Sequence, residues 1–186
     1  MIPAGYVAKR VAQRPTWLRV PEVKDIYSVS NCISNDFMEY IQFWRHNGYW
    51  LFDNPQIIQA LAQENDIDLG DATFFYYEVY EKEFDEELNQ WLSFEPDAFP
   101  TQVTPTAKRT FQGYDVVTFS MGTNPECSPL SCNHLASEIN TNAHCLLESF
   151  EEARKDLESG KYNGSEPGPF RIFAVYTVEP GNWLEK

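Results

Sequence analysis

The sequence feature that most constrains the fold is a set of matched residues that recurs at a nearly constant spacing along the 186-residue chain. The pairs that stand 95 or 96 positions apart are Asn47 and Asn142, Leu51 and Leu146, Asn54 and Ser149, Leu61 and Leu157, Phe74 and Phe170, Val79 and Val175, and Tyr80 and Tyr176; Asp25 and Asp115, and Ser30 and Ser120, stand 90 apart. Self-similarity at a fixed offset is typical of repeated structural units. We therefore expect a duplicated chain, with chance agreement between sparse identities as the alternative.

The two halves also share one predicted order of elements: strand, helix, short strand, helix and strand. The first half has predicted strands at 23–30, 49–52 and 73–80, and predicted helices at 37–44 and from Pro55 onward. The second half has predicted strands at 114–120, 144–147 and 170–178, a short helix after His134 and a longer helix from Ser149. A half of this size buries too little apolar surface to fold stably on its own. The sequence therefore predicts an α+β fold in which two similar halves pack as one pseudo-two-fold domain.

The charge distribution sets the predicted boundaries: a basic N-terminal arm at 1–22, the first half at 23–91, a proline-containing connection at 92–113 and the second half at 114–186. Residues 1–24 hold five basic residues and one acid, which leaves −18 on the rest of a chain whose net charge is −14. We expect the arm to fold back onto this acidic body. A free interaction arm and a mitochondrial transit peptide are the alternatives.

Charge, hydropathy and cysteine usage exclude several classes of protein. A body this acidic repels a phosphate backbone, so we expect no nucleic-acid partner. The longest apolar runs, such as 172–176, are too short to span a bilayer, and residues 1–18 lack the apolar stretch of a signal peptide. With no export signal, the four cysteines are expected to be reduced thiols. The sequence therefore predicts a cytoplasmic protein without a membrane association.

Aromatic residues occupy both alternating faces of the predicted strand at 73–80. A strand that is apolar on both faces is typical of the covered centre of a sheet. The alternative is an exposed adhesive face. We expect the covered central position.

An acidic run follows this strand and supplies the first candidate binding surface. Its predicted binding residues are Glu81, Glu83, Asp85, Glu86 and Glu87. Such a run is usually a solvated strand edge, where charge prevents edge-to-edge pairing. The functional alternative is a docking face for a basic protein partner.

The segment 125–134 holds two thiols, hydroxyls, an amide and an imidazole between a predicted strand and a predicted helix. If the segment is functional, Cys127 or Cys132 acts as a nucleophile, and His144 is a better-placed base than His134. One of these two thiols should then alkylate faster than Cys32 and Cys145. If the segment is structural, its cysteines are buried apolar residues. Ser128 then caps the helix with its hydroxyl, and Pro129 takes the first turn.

The same segment also contains candidate metal ligands. Cys127, Cys132 and His134, with either His144 or Cys145, would provide four ligands. The spacing Cys-x4-Cys-x-His departs from that of structural zinc sites, so the sequence predicts no metal. It also lacks a phosphate-binding loop, a dinucleotide glycine fingerprint and the hydrolase and zinc-protease motifs, so no cofactor is expected.

Together these features favour a non-enzymatic, acidic domain that binds a basic protein, of an immunity or inhibitor type. Charge complementarity would accelerate encounter with the partner. The alternative is a thiol-dependent enzyme or small-molecule-binding protein that uses the loop from Cys127 to His134.

Overall fold

The computed structural model describes residues 1–36, 48–94, 102–119 and 125–179. The strands of these residues are β1 (Ile2–Arg10), β2 (Ala12–Gln13), β3 (Asp25–Ile26), β4 (Asn35–Asp36), β5 (Thr73–Val79), β6 (Lys82–Asp85), β7 (Gln90–Ser93), β8 (Arg109–Thr118) and β9 (Phe170–Val178). The helices are α1 (Pro55–Glu64), α2 (Pro129–Cys132) and α3 (Phe150–Glu158), with a 3-10 helix at Leu135–Ser137. The predicted helix at 37–44 lies outside the described residues.

One seven-stranded antiparallel sheet organises the molecule. Its strands run β4, β1, β5 and β9, and β8 also pairs with β9. The hairpin of β6 and β7 joins the beginning of β9 through the pair Phe84 and Phe170. Strands β2 and β3 form a separate small sheet. Helices combined with an antiparallel sheet confirm the α+β class.

Residues 2–10 differ from the basic arm that the charge pattern predicts. They form β1, which lies between β4 and β5 in the main sheet. The run Ala4 to Lys9 is buried throughout, so this strand is covered on both faces. The predicted strand at 23–30 contributes only the two residues of β3. Apolar burial, rather than charge, therefore determines where the N-terminal segment lies.

The predicted covered strand is confirmed as β5. It pairs with β1 on one edge and with β9 on the other, and Phe74 to Tyr77 are all buried. Rings from β5 pack on both sides of the sheet, including a stacked pair between Phe75 and Tyr77.

The two longer helices begin where capping chemistry predicts. The Asn54 side chain accepts the Ile57 backbone N–H at 3.1 Å, and Pro55 occupies the first turn of α1. The Ser149 hydroxyl accepts the Glu152 N–H at 3.1 Å and starts α3. Each helix packs one apolar stripe inward. Ile58, Leu61 and Ala62 lie in one apolar cluster, and Ala153 and Leu157 lie in a second.

Strands β1 and β8 have corresponding local features. A single bridge joins Tyr6 to Phe52 just before α1, and another joins Tyr114 to Leu147 just before α3. The register shifts at Gly5 in β1 and at Gly113 in β8, where φ is +139° and +144°. At Gly113 an added Cβ would lie 2.7 Å from the Cβ of Leu146, so only glycine fits.

Candidate functional site

Three thiols from distant parts of the chain meet beside the end of β8. The sulfur atoms of Cys32, Cys127 and Cys132 all lie within 4.8 Å of one another. Cys32 comes from the loop after β3, and Cys132 ends α2. Cys127 is fixed by backbone pairing, because its carbonyl accepts the Thr118 N–H at 2.9 Å. We call these three residues the thiol cluster.

The three sulfurs differ in exposure and in their polar contacts. Cys127 is buried, Cys132 is half-buried and Cys32 is exposed, so solvent reaches the cluster at Cys32. The Cys32 thiol donates to the Glu126 carbonyl at 2.8 Å, and the Cys127 thiol donates to Asn133 Oδ1 at 3.1 Å. The hydroxyl of Ser30 lies 3.8 Å from the Cys132 sulfur. Thus each sulfur has a fixed polar neighbour outside the cluster.

A buried lysine holds the loop that carries Cys32. Lys9, only 1% exposed, projects from β1 and donates to the carbonyls of Ser28, Val29 and Ser30 at 2.6, 2.9 and 2.9 Å. A buried ammonium is costly unless it is hydrogen-bonded, so three successive carbonyls must turn toward it. This requirement bends residues 28–30 and sets the direction in which the chain proceeds to Cys32.

A buried carboxylate joins that loop to the segment carrying the other two thiols. Asp115 Oδ2 accepts the Val29 N–H at 2.8 Å and the Ser128 hydroxyl at 2.6 Å. The Ser128 hydroxyl in turn accepts the Ser30 N–H at 3.3 Å. Ser128 precedes α2 but makes no side-chain cap, because its hydroxyl oxygen accepts the Ser30 N–H instead. Lys9, Asp115 and Ser128 form what we call the anchoring network.

The thiols of the cluster do not ionise equally. The pKa of Cys32 lies below its usual range, because the thiols of Cys127 and Cys132 hydrogen-bond to its sulfur and Lys9 adds a favourable charge. The pKa of Cys127 is raised by its bonds to Cys132 and Cys32 and by burial. For Cys132, the bond to Cys127 lowers the pKa, but the bond to Cys32 and burial outweigh it and raise the pKa to about 11. Of the three thiols, Cys32 is therefore the one whose pKa is lowered.

Burial also shifts the acid of the anchoring network. Asp115 is 1% exposed, and desolvation raises its pKa to about 6 against the opposing effect of the Ser128 and Val29 hydrogen bonds.

The two candidate bases lie in other interactions. His144 Nδ1 is 2.6 Å from Asp25 Oδ1, and its ring stacks on Tyr27 with centroids 4.1 Å apart. The His134 ring contacts Trp17 edge-on at 4.4 Å. Within the part of the chain that the structure describes, neither imidazole hydrogen-bonds a cysteine sulfur. These two imidazoles therefore do not form the predicted Cys–His arrangement.

Sequence reasoning identified Cys127 and Cys132 as candidate thiols but missed Cys32, which the functional interpretation expects to react more slowly than one of those two. Cys32 is the exposed thiol, while Cys127 and Cys145 are buried. Burial raises the pKa of Cys145 to about 12. One signal was available: Cys32 and Cys127 stand 95 positions apart, the offset of the internal matches.

Three residues of the acidic run make contacts within the folded protein. Glu83 pairs with the buried Arg171 at 2.9 Å. Asp85 accepts the Leu88 N–H in the turn between β6 and β7, and Glu86 accepts the Gly168 N–H, each at 2.9 Å. Glu81 and Glu87 are exposed. Two of the five predicted binding residues thus project freely to solvent.

In the described ranges, the helices are all too short or too polar to cross a membrane. Comparison with protein-family models, with curated proteins and with solved structures finds no match to this chain.

Proposed function

We propose that the thiol cluster is the functional site and that Cys32 acts there as the nucleophile of thiol–disulfide exchange. One observation carries the proposal: an exposed thiol with a lowered pKa lies within 4.8 Å of two further thiols. The thiolate is the nucleophilic form of cysteine, and accessible thiols of low pKa are the reactive ones. A neighbouring thiol can then complete the exchange.

The chemistry uses only protein thiols and a substrate disulfide. The Cys32 thiolate attacks one sulfur of the substrate disulfide, forms a mixed disulfide and releases the first substrate thiolate. Cys127 or Cys132 loses its proton to solvent and attacks the Cys32 sulfur, which releases the second substrate thiolate. Two protein thiols are oxidised to one internal disulfide, and one substrate disulfide is reduced to two thiols.

Native alkylation tests the nucleophile. With iodoacetamide, we expect one fast-reacting thiol whose rate follows an apparent pKa well below the ordinary value of about 8.5. Cys32→Ser should remove the fast phase. Cys145→Ser, a matched control at a buried thiol outside the cluster, should retain it. A fast phase that survives in Cys32→Ser would contradict the assignment.

The second step has its own test. After one turnover with a small disulfide, peptide mapping of the wild type should show a new link from Cys32 to Cys127 or to Cys132. Cys32→Ser should show none of these links. A link that involves Cys145 instead would contradict the role of the cluster.

A second candidate function, binding of a basic protein, is supported by the turn between β6 and β7. Leu88 is 61% exposed there, with the exposed Glu87 beside it and Glu81 before β6. An exposed apolar side chain next to an exposed acid suits a basic surface with an apolar pocket. Capture of a basic partner should weaken with salt and with the pair Glu81→Gln and Glu87→Gln. Glu64→Gln, at an exposed site on α1, should leave capture unchanged. Equal capture by both variants would contradict this surface.

We also infer that the two halves are related by a pseudo-two-fold axis between β5 and β9. The support is the antiparallel pair Tyr76 and Tyr176, together with the matched bridges before α1 and α3. Under this inference β1 corresponds to β8, so the segment 23–30 is an addition to the first half. An experimental structure in which β1, α1 and β5 do not superpose on β8, α3 and β9 would contradict it.

A further inference from the structure

We propose that, in the reduced protein, the sulfurs of Cys32, Cys127 and Cys132 together bind a thiophilic metal ion, Zn²⁺, and leave one coordination position to water or an external ligand. The inference rests on the same cluster as the proposed function, but it requires three converging ligands rather than one reactive thiol.

The distances between the sulfurs fit this ion. Zinc binds thiolate sulfur at about 2.3 Å, so two sulfurs of a tetrahedral site are about 3.8 Å apart. The three sulfurs are already within 4.8 Å of one another. The separations therefore exceed those of a tetrahedral site by about 1 Å at most.

The nature of the ligands selects the ion. Thiolates prefer Zn²⁺ and other soft ions, whereas Mg²⁺ and Ca²⁺ take oxygen ligands. Among the His, Cys, Asp and Glu side chains of the described residues, the group of potential ligands at this place consists of the three cysteines. A three-ligand zinc site retains an open position, as catalytic zinc sites do. The exposed Cys32 gives the ion a path from solvent.

The surroundings of the sulfurs fit an organised ligand set. Ligand orientation depends on contacts with neighbouring groups. Here the Ser30 hydroxyl lies 3.8 Å from the Cys132 sulfur, and Asn133 Oδ1 accepts the Cys127 thiol proton that a metal ion would displace. The anchoring network fixes the backbone of both ligand segments, because Asp115 bonds Val29 on one side and Ser128 on the other. A metal ion would replace the thiol protons of this cluster.

Cobalt substitution tests the proposal on the full chain. Reduced protein is titrated anaerobically with Co²⁺, whose thiolate complexes absorb in the near ultraviolet and whose tetrahedral sites absorb in the visible. We expect saturation at one Co²⁺ per chain and loss of both absorptions when Zn²⁺ is added. Cys32→Ser, at an exposed position, should greatly reduce the near-ultraviolet absorption. Cys145→Ser should leave it unchanged, and circular dichroism confirms that each variant is folded.

The outcomes separate this inference from the proposed function. Absence of the cobalt spectrum in wild type overturns the metal site, and fast alkylation of Cys32 would then leave the exchange function standing. A cobalt spectrum with no fast alkylation of the metal-free protein overturns the exchange function and supports the metal site. An undiminished spectrum in Cys32→Ser overturns the three-sulfur assignment. If a variant fails to fold, a measurement on wild type replaces the test of that variant. Added Zn²⁺ should then protect Cys32, Cys127 and Cys132 from alkylation. Protection of Cys145 alone would overturn the site.

Discussion

Two buried charges at single positions, Lys9 and Asp115, hold the thiol cluster together, and neither stands out in the sequence as a site residue. In the sequence, Lys9 is one of several cations in a basic segment, and Asp115 is a polar residue within a predicted strand. Their role follows from contacts with residues 28–30 and Ser128, which are far away in the chain. Cys32 was missed for the same reason. The sequence shows directly that Cys127 and Cys132 share one loop, but only the tertiary structure brings Cys32 next to them.

Asp115 predicts a pH dependence of stability with a definite sign. Its pKa is about 6 in the folded protein, above the ordinary value of 3.8, so the folded state binds the proton more tightly than the unfolded state. As pH falls from 7 to 4, the free energy of unfolding of wild type should therefore rise relative to that of Asp115→Asn, by up to roughly 3 kcal/mol. Urea unfolding at several pH values measures the difference.

Asp71→Asn provides a control of opposite sign. The hydrogen bond from Arg10, at 2.8 Å, lowers the pKa of the exposed Asp71 carboxyl. Wild type should therefore lose stability relative to Asp71→Asn as the pH falls. If both variants show the same trend, the burial of Asp115 does not control its titration.

At the scale of elements, local chemistry predicted the two longer helices well and the strands unevenly. Helices α1 and α3 begin at the caps that the sequence shows, because a cap acts through neighbouring residues. The strand at 73–80 followed from its two-sided aromatic pattern. Strand β1 was missed because both of its faces are buried, so it has no alternation, and because Lys9 and Arg10 give it the composition of a surface segment.

The cap of α3 gives a prediction at this scale. Ser149→Ala should lower the free energy of unfolding by about 0.5–2 kcal/mol, because the Glu152 N–H loses its acceptor. Ser149→Asp should keep most of the stability, since a carboxylate caps equally well. Urea unfolding of both variants measures the effect. Equal losses in the two variants would show that the hydroxyl acts through something other than the cap.

At the scale of the whole molecule, the α+β class followed from the sequence, but the strand order did not. The pairing of β1 with β5, and of β9 with both β5 and β8, joins segments far apart in the chain. No local pattern specifies such partners. The matched offsets at 95 and 96 were informative because they compare distant segments directly. They did not identify β1, which lies outside the offset series.

Deletion of residues 1–10 tests how the N-terminal segment contributes. It removes a strand whose Ala4, Tyr6, Val7 and Ala8 are buried, and it exposes one edge of β5. We expect a large loss of thermal stability that is the same at low and high salt, because apolar burial is not screened. A loss that shrinks as salt rises would instead indicate an arm held by charge. Arg10→Gln, which removes an exposed ion pair with Asp71 and an exposed hydrogen bond to the Asp68 carbonyl, should have a small effect.

Strand β9 bonds to β5 along one edge and to β8 along the other, although it follows both of them in the chain. During synthesis, every preceding strand of the main sheet therefore leaves the ribosome before the strand that unites them. Until residues 170–178 have been made, the facing edges of β5 and β8 have no native partner. The sheet must then close through long-range contacts, which slows folding. A newly made chain of this protein thus carries two open strand edges that can pair wrongly with other chains.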